Sequence, residues 1–446
     1  MISTKYGLLE GVPGEGCTVY KGIPYARAPI GERRWRKPQP PEAWEGVFHA
    51  DHYGCKSIQF GNPRDTFYKK EFYSNPAFDV PVSEDCLYLN IWVPGEARGK
   101  LPVAVYVHGG AFLGGAGSNL PFACDKLAQK GVIVVTLNYR LGALGFLCHP
   151  LLAAEGENTA GGNLGLWDQL AAITWVKENI AAFGGDADNI SVFGQSAGAM
   201  SLQALAVSPR AAGLFRRMVL QSGGGYHNPL GEYRPIEQAE TFGNDLLEAL
   251  GLPRHAWKES EAGREAARKA LWETPTEDLC TALNKALGMA FLQHKGIPYV
   301  PVVDGELIPE DGNTLIEQGK VLPISYILGC NGNDLTAAAE DPCMENSRMH
   351  KANTAYALRM TQPSYVYYFD RKLPGDEAGS FHSAELWYVF GSLKYCWRPL
   401  ESEDYALSNR MLSYWSNFFK SGDPNGDGPT IWRPYTETDP YVELLK

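Results

Sequence analysis

A serine lies between small residues in the pentapeptide GQSAG, Gly194 to Gly198. The apolar run from Ile190 to Phe193 predicts a short buried strand before it, and the run AGAMSLQAL predicts a helix after it. A strand that turns directly into a helix holds the residue at its tip in strained backbone geometry, and flanking glycines relieve the crowding. We therefore expect Ser196 to stand exposed on this turn, where its hydroxyl could attack an acyl carbon.

A serine nucleophile requires a general base and an acid that orients this base. Where the serine sits on such a turn, the acid and then a histidine follow it along the chain. Three histidines are candidates, His294, His350 and His382. His382 lies in a Gly/Ser-flanked loop after the predicted strand YVYYFD, whereas the other two lie in or beside helical or strongly polar stretches. The pattern favours His382 as the base.

The orienting acid is expected in a loop that follows an earlier strand. In SYILGCNGNDLT, Asp334 lies just past the end of the predicted strand. Glu340 and Asp341 lie further along the same loop and remain alternatives.

The stretch HGGA, His108 to Ala111, could supply the third requirement, which is a set of backbone N–H donors for a developing oxyanion. It follows the predicted strand VAVYV and carries small residues after the histidine. The N–H of Ala197, at the start of the helix after the serine, is a further donor. Each such donor typically contributes roughly 3 to 4 kcal/mol to stabilisation of the transition state.

The elements that must position these residues alternate between strands and helices from Leu87 to Asp370. Several strand runs are continuously β-branched and apolar, which is typical of strands covered on both faces. The helical patterns between them indicate βαβ crossovers and a mainly parallel sheet. Residues 2–30 predict a small antiparallel sheet at the N-terminus, and we see no linker, so we predict a single α/β domain over residues 1–446.

Two segments stand outside this alternation. Residues 236–292 are helical in period throughout, and such an insertion is either a cap over an active site or a structural buttress. Residues 55–83 are a loop rich in aromatic side chains, which cover either the core or a substrate gorge. These aromatic residues are Phe60, Phe67, Tyr68, Phe72, Tyr73 and Phe78.

Composition and charge limit the classes of partner that the protein could bind. A net charge of −11 with intermixed acidic and basic residues argues against nucleic acid and against an anionic membrane surface. No apolar run is long enough to span a bilayer, and the N-terminal MISTKYGLLEG lacks a secretory pattern. Nine cysteines without paired CxxC spacing predict neither a disulfide framework nor a metal site. We expect a cytoplasmic protein without a membrane partner, and its oligomeric state stays open.

Two longer stretches match known signatures. EDCLYLNIWVP (Glu84 to Pro94) and FGGDADNISVFGQSAG (Phe183 to Gly198) are similar to those of the type-B carboxylesterase family, which the chain resembles over nearly its full length. The resemblance implies an α/β-hydrolase fold, in which helices cover both faces of a large, mostly parallel sheet. It implies these site residues: Ser196 as nucleophile, Asp334 as acid, His382 as base, and Gly110, Ala111 and Ala197 as oxyanion donors.

The resemblance also implies structural ion pairs between Arg34 and Glu84 and between Arg140 and Asp168. The sequence departs from the family at the acid, which is usually a glutamate followed by glycine. Here Asp334 is followed by Leu335. A shorter carboxylate requires its loop to lie closer to His382 for the same hydrogen bond.

These observations predict a serine carboxylesterase that hydrolyses small neutral or hydrophobic esters through an acyl-enzyme, with no metal or organic cofactor. Phe112, Trp387 and Phe390 are candidates for the walls of the substrate pocket, with core packing as the alternative. A lipase-like hydrolase of longer acyl chains and a catalytically silent binding protein of the same fold are alternative functions. A lipase needs a large apolar lid, whereas residues 236–292 are rich in Glu, Lys and Arg.

Overall fold

The computed structural model describes residues 1–59, 67–95, 99–153, 161–231, 233–253, 255–292, 298–335, 343–426 and 431–446. The strands are β1 (Ile2–Thr4), β2 (Gly7–Glu10), β3 (Val12–Pro13), β4 (Cys17–Pro24), β5 (Val47–His49), β6 (Lys56–Ser57), β7 (Val82–Ser83), β8 (Tyr88–Pro94), β9 (Leu101–Val107), β10 (Ile133–Leu137), β11 (Gly185–Gln195), β12 (Arg217–Gln221), β13 (Arg234–Pro235), β14 (Val302–Val303), β15 (Ser325–Asn331), β16 (Ser364–Phe369) and β17 (Val442–Leu445).

The helices are α1 (Phe67–Phe72), α2 (Asp125–Ala128), α3 (Gly142–Phe146), α4 (Leu164–Asn179), α5 (Ala197–Ala206), α6 (Ile236–Ala249), α7 (Ala256–Glu259), α8 (Glu261–Glu273), α9 (Thr276–Leu292), α10 (Gly312–Glu317), α11 (Arg348–Ala357), α12 (Leu386–Phe390) and α13 (Ser402–Ser421). The longest helix, α13, ends at Gly422, whose φ of 87° is the left-handed conformation that glycine adopts without strain.

A ten-stranded sheet forms the centre of the fold, in the order β17-β16-β15-β12-β11-β9-β10-β8-β4-β3. The seven strands from β17 to β10 in this order run parallel, and β8, β4 and β3 continue the sheet antiparallel. Every residue of β10 and of β16 is buried, as expected where helices cover both faces. The predicted mostly parallel α/β sheet is therefore confirmed.

A second, small sheet lies at the N-terminus, in the order β1-β2-β5. β1 and β2 form the antiparallel hairpin that the sequence predicts. β5 adds to it in parallel.

The parallel order places four functional segments at one edge of the large sheet. β9, β11, β15 and β16 end at Val107, Gln195, Asn331 and Phe369 respectively. Because the carboxyl ends of parallel strands meet at the same edge, the loops that follow these strands converge there. Those loops carry the glycine stretch, the serine turn, the acid and the histidine.

The helical insertion, residues 236–292, forms α6 to α9 and packs on the body of the protein. Phe242 and Leu246 of α6 and Leu271 of α8 belong to the same buried cluster as residues of the central strands. Leu287 of α9 lines a cavity beside the sheet edge. The insertion thus both packs on the body of the protein and forms part of a cavity wall. Its movement as a lid stays a prediction. The organisation of the chain as a single domain also stays a prediction.

A buried ion pair fastens this insertion to the N-terminal region. Arg34 Nε and Nη2 donate to the two carboxylate oxygens of Glu84 at 2.6 and 2.8 Å. Arg34 Nη1 also donates to the carbonyls of Leu271 and Thr274, at 3.1 and 3.0 Å. Glu84 accepts a further bond from the Thr276 hydroxyl at 2.6 Å. The pair implied by the family resemblance therefore holds the turn between α8 and α9.

The second implied ion pair joins Arg140, just after β10, to Asp168 of α4. Arg140 Nε and Nη2 donate to the two oxygens of Asp168 at 2.8 and 2.7 Å. The side chain of Asp168 is fully buried and that of Arg140 is 2% exposed. A bidentate pair in this environment compensates the cost of removing both charges from water.

Breaking this pair from one side should destabilise the protein strongly. Asp168→Asn keeps the volume of the side chain but leaves the Arg140 charge buried without its partner. We expect the free energy of unfolding to fall by about 3 to 5 kcal/mol, measured as the midpoint of urea denaturation. Asp188→Asn, in the exposed pair with Lys177, is the matched control and should leave the midpoint nearly unchanged. Equal effects of the two substitutions would contradict the prediction.

All nine cysteines carry free thiols, including Cys55 and Cys86. Within the described ranges, no helix combines the length and apolar character needed to cross a membrane. In the same part of the chain, no cluster of three or more His, Cys, Asp or Glu side chains has the arrangement to hold a metal ion.

Candidate active site

Ser196 lies at the tip of the predicted turn, between the end of β11 and the start of α5. Its backbone has φ 56° and ψ −126°, a strained conformation for a residue with a side chain. A Cβ atom on Gly198 would lie 2.0 Å from the carbonyl oxygen of Val107, and one on Gly194 would lie 2.7 Å from the backbone of Gly198. The flanking glycines are therefore required by close backbone approach, as the sequence pattern indicates.

The loops after β15 and β16 bring Asp334 and His382 together. His382 Nδ1 lies 2.6 Å from Asp334 Oδ1, and both side chains are buried. The backbone N–H groups of Asn331 and Leu335 donate to the same carboxylate at 3.1 and 2.8 Å. The shorter aspartate thus reaches the imidazole, although the family acid is usually a glutamate.

The structure describes one of the alternative candidates for the base and the acid. His350 lies on α11, with its ring 5.9 Å from that of Tyr368, and burial lowers its pKa to about 4. His294, Glu340 and Asp341 lie outside the described residues.

The Asp334–His382 pair favours a charged acid beside the imidazole. Burial alone raises the pKa of Asp334, but attraction to His382 and hydrogen bonding lower this pKa below its ordinary value. Burial alone lowers the pKa of His382, but the charge and the hydrogen bond of Asp334 raise it above its ordinary value. The nearby Glu385 carboxyl acts in the same direction on the pKa of His382.

These shifts define a pH dependence. A general base must be unprotonated, so with His382 in this role we expect activity to be lost as the pH falls through its pKa. Because that pKa is raised from an ordinary value of about 6.5, the acid limb of kcat/KM should lie above pH 6.5. The measurement is kcat/KM for a p-nitrophenyl ester across the pH range, with substrate blanks at each pH. A limb well below that value would contradict the assignment of His382 as base.

The segment after β9 has the backbone geometry of a donor loop. Gly110, Ala111 and Phe112 all have positive φ, at 115°, 55° and 60°. A Cβ on Gly110 would lie 2.1 Å from the Gly114 carbonyl, so this position requires glycine. Within the described residues, no acceptor pairs with the N–H of Gly110 or Ala111.

Ala197 completes this group of N–H donors. It is the first residue of α5, so its N–H has no acceptor within the helix. Gly109 brings the donor loop close to the serine, because a Cβ there would lie 3.0 Å from Ser196 Cβ. The three predicted donors, Gly110, Ala111 and Ala197, thus lie on two segments that meet at Ser196.

A cavity of about 370 Å³ opens beside Ser196 and His382. The donor loop forms one side of it, and apolar or aromatic side chains form most of the rest. Tyr68, Phe72 and Tyr73, from the aromatic segment 55–83, line this cavity. For these three residues the sequence alternative of a substrate gorge therefore applies. Phe60 of that loop lies outside the described residues. The cavity has the size and character of a small-molecule site.

The three side chains predicted as pocket walls are buried and are not among the residues that line this cavity. Phe112 packs on Phe146, with ring centroids 4.9 Å apart. Trp387 donates its indole N–H to the buried Glu71 at 2.9 Å. Phe390 packs 4.9 Å from the ring of Tyr106. Leu386 of α12 and Phe122 occupy the wall near these positions.

Two residues near the imidazole were not predicted from the sequence. Gln195 directly precedes the serine, and its Nε2 lies 3.2 Å from His382 Nε2. Glu385 is fully buried and accepts from Asn331 Nδ2 at 2.6 Å and from Gln221 Nε2 at 3.2 Å. Burial raises the pKa of Glu385. Their only sequence signal is their closeness to Ser196 and His382, which does not show where a side chain points.

The fold and this arrangement define an α/β-hydrolase with a serine on its strand-to-helix turn. The model of the Carboxylesterase family matches residues 1–353 and 343–446. The chain belongs to the carboxylesterase family, and it is a carboxylic ester hydrolase of the serine type.

Individual relatives agree with this membership. Para-nitrobenzyl esterase of Bacillus subtilis (strain 168) is 34% identical, over 98% of this chain and 93% of that protein. Bile salt-activated lipase of Homo sapiens is 32% identical, over 100% of this chain and 66% of the relative. A solved PNB esterase structure has a TM-score of 0.83 and 32% identity, and the match covers 100% of this chain and 95% of the other. The predicted α/β-hydrolase fold is confirmed.

Proposed function

We propose that this carboxylesterase hydrolyses small uncharged esters, with Ser196 as nucleophile, His382 as base and Asp334 as the orienting acid. The observation that carries the proposal is the cavity, which Ser196 and His382 line together with apolar and aromatic side chains. Among its described lining residues there is no Asp, Glu, Lys or Arg. A charged substrate would lose its hydration there without gaining a partner charge.

The proposed chemistry uses the groups that surround the serine. Ser196 Oγ attacks the acyl carbon while its proton passes to His382 Nε2, and Asp334 stabilises the imidazolium through Nδ1–H. The N–H groups of Gly110, Ala111 and Ala197 stabilise the oxyanion of the tetrahedral intermediate. His382 then protonates the leaving alcohol. Water, deprotonated by the same imidazole, attacks the acyl-enzyme and releases the acid.

A panel of p-nitrophenyl esters of increasing acyl length tests the substrate class. Acetate and butyrate should have the highest kcat/KM, because a cavity of about 370 Å³ lies near the lower end of the sizes of small-molecule sites. Esters with a carboxylate or ammonium on the acyl chain should react much more slowly, since the lining offers no countercharge. A charged ester that reacts as fast as butyrate would reject the proposal.

Lipase activity is the second candidate, because Leu335 stands 62% exposed beside the cavity and would suit a longer chain. Against it, the described faces of α8 that meet solvent carry mainly Glu, Lys and Arg. A rate that rises sharply above the solubility limit of a triglyceride would favour the lipase. A rate that saturates below that limit favours the esterase.

We also propose a cytoplasmic location without a membrane or nucleic-acid partner. Nine free cysteines support a reducing compartment, and the net charge of −11 disfavours polyanions. Fractionation of cells that produce the tagged chain, followed by an esterase assay of each fraction, tests the location.

A further inference from the structure

The atom that faces the base is an amide nitrogen. Gln195 Nε2 lies 3.2 Å from His382 Nε2, and both side chains are buried. Within the described residues, no hydrogen bond joins Ser196 Oγ to this imidazole nitrogen. The nitrogen that must accept the serine proton is therefore already engaged by the residue before the serine.

The chemistry of the imidazole requires a donor at this position. Asp334 is an acceptor when ionised, so His382 Nδ1, at 2.6 Å from it, carries a hydrogen. In a neutral imidazole the other nitrogen, Nε2, then presents a lone pair. The group that faces it has to donate, and the amide nitrogen of Gln195 does so.

We propose that Gln195 is a positioning residue for His382, whose amide donates to Nε2 in the resting enzyme and holds the imidazole as the neutral, Nδ1-protonated tautomer. This tautomer is the one that can take the proton of Ser196, once the serine hydroxyl replaces the amide at the single lone pair of Nε2. The proposal rests on the function of His382 proposed above. It assigns to Gln195 a role in preparing the base and no direct part in the reaction.

An amide suits this task because it can partner both states of the base. When Nε2 takes the serine proton it becomes a donor, and the Gln195 amide, turned over, presents Oε1 as the acceptor. A carboxylate of the same length could partner only the protonated imidazole. Gln195 therefore leaves more of the base in its neutral form than a carboxylate at the same position would.

Other groups face His382 from the elements packed around it. Asp334 and Glu385 both raise its pKa, from the loop after β15 and from the start of α12. The Tyr68 hydroxyl of α1 donates to the His382 carbonyl at 3.4 Å, and burial raises the pKa of Tyr68. Arg398 packs 5.0 Å from the ring of the preceding Phe381.

The Arg398 charge is itself compensated. Its guanidinium pairs with Glu71 at 3.0 Å and with Asp376 at 2.7 Å. Of the groups around His382 named here, Gln195 is the one that contacts Nε2, and it is neutral. A charge introduced at position 195 therefore acts on the base most directly.

The test introduces a charge without changing shape. In Gln195→Glu, a carboxylate at Nε2 favours the protonated imidazole, so the acid limb of kcat/KM should move up by about 1 to 3 pH units. Gln195→Met keeps the length and removes the donor, so the limb should move up by less than about one pH unit. Asn119→Asp is the control, since it charges the same cavity at a side chain that contacts Tyr73.

A second readout does not depend on turnover. In a Ser196→Ala background, NMR of labelled histidine gives the titration midpoint of His382, assigned by its absence in His382→Gln. The midpoint should move with the kinetic limb in both Gln195 variants. An unchanged midpoint in Gln195→Glu, or an equal shift in Asn119→Asp, would overturn the proposal. Failure of an organophosphonate to label Ser196 in the wild-type enzyme would overturn the proposed function. It would not change what the NMR titration shows about Gln195 and His382.

Discussion

Replacement of Ser196 by alanine should lower turnover about a millionfold, the loss seen when comparable serine nucleophiles are removed. The turn, with Ser196 φ at 56°, places this residue in the cavity that the donor loop and His382 also line. Without the serine hydroxyl no acyl-enzyme forms, and the remaining donors can only assist a direct attack by water. Fold and substrate binding should persist, because alanine accepts the same backbone strain and loses only the hydroxyl.

The measurement is kcat for p-nitrophenyl butyrate, with enzyme purified free of host esterases. Stoichiometric labelling by an organophosphonate should disappear in the same variant. Ser201→Ala removes a hydroxyl one turn further along α5 and should keep most of the wild-type turnover. A Ser196→Ala variant that retained a hundredth of the wild-type rate would rule out Ser196 as the nucleophile.

Asp334→Asn should reduce kcat by thousands-fold, roughly 10⁴ where a comparable acid is replaced by its amide. The carboxylate fixes the hydrogen on His382 Nδ1 at 2.6 Å and stabilises the imidazolium. An asparagine can present its NH₂ group there, which would place the hydrogen on Nε2 and leave no lone pair for the serine proton. Loss of the negative charge should also lower the pKa of His382, so the acid limb should move down.

Two variants separate this role from general electrostatics. Glu385→Gln removes the other carboxyl that raises the pKa of His382, but this carboxyl is bonded to Asn331 and Gln221 rather than to Nδ1. It should therefore cost far less than Asp334→Asn. Asp334→Glu keeps the charge and should lose less than the amide. Near-normal activity of Asp334→Asn would move the acid to Glu340 or Asp341.

Position in the chain was enough to select His382 and Asp334, which the structure brings into contact, although neither has a local signature of its own. Each follows a strand, and β15 and β16 are parallel neighbours, so residues just past their ends are close in space. The order serine, acid, histidine then leaves few candidates. The distance of 2.6 Å depends on the loops, whose conformation sequence periodicity does not describe.

Side-chain direction explains what the sequence missed. Phe112, Trp387 and Phe390 are aromatic residues close to the site in sequence, yet their rings face Phe146, Glu71 and Tyr106. The wall comes instead from a distant segment, with Tyr68 and Phe72 of α1. A pattern of apolar residues shows that a side chain is buried, but does not show against which partner.

By itself the sequence determined the class of fold and the strained serine turn, and it predicted the chemistry of the Ser196 hydroxyl. These features rest on local causes, namely strand and helix periodicity and the backbone crowding that Gly194 and Gly198 relieve. Tertiary structure alone decided the shape and neutrality of the cavity and the placement of Gln195 against His382 Nε2. Those features depend on contacts between segments far apart in the chain, whose geometry is set only when the whole core packs.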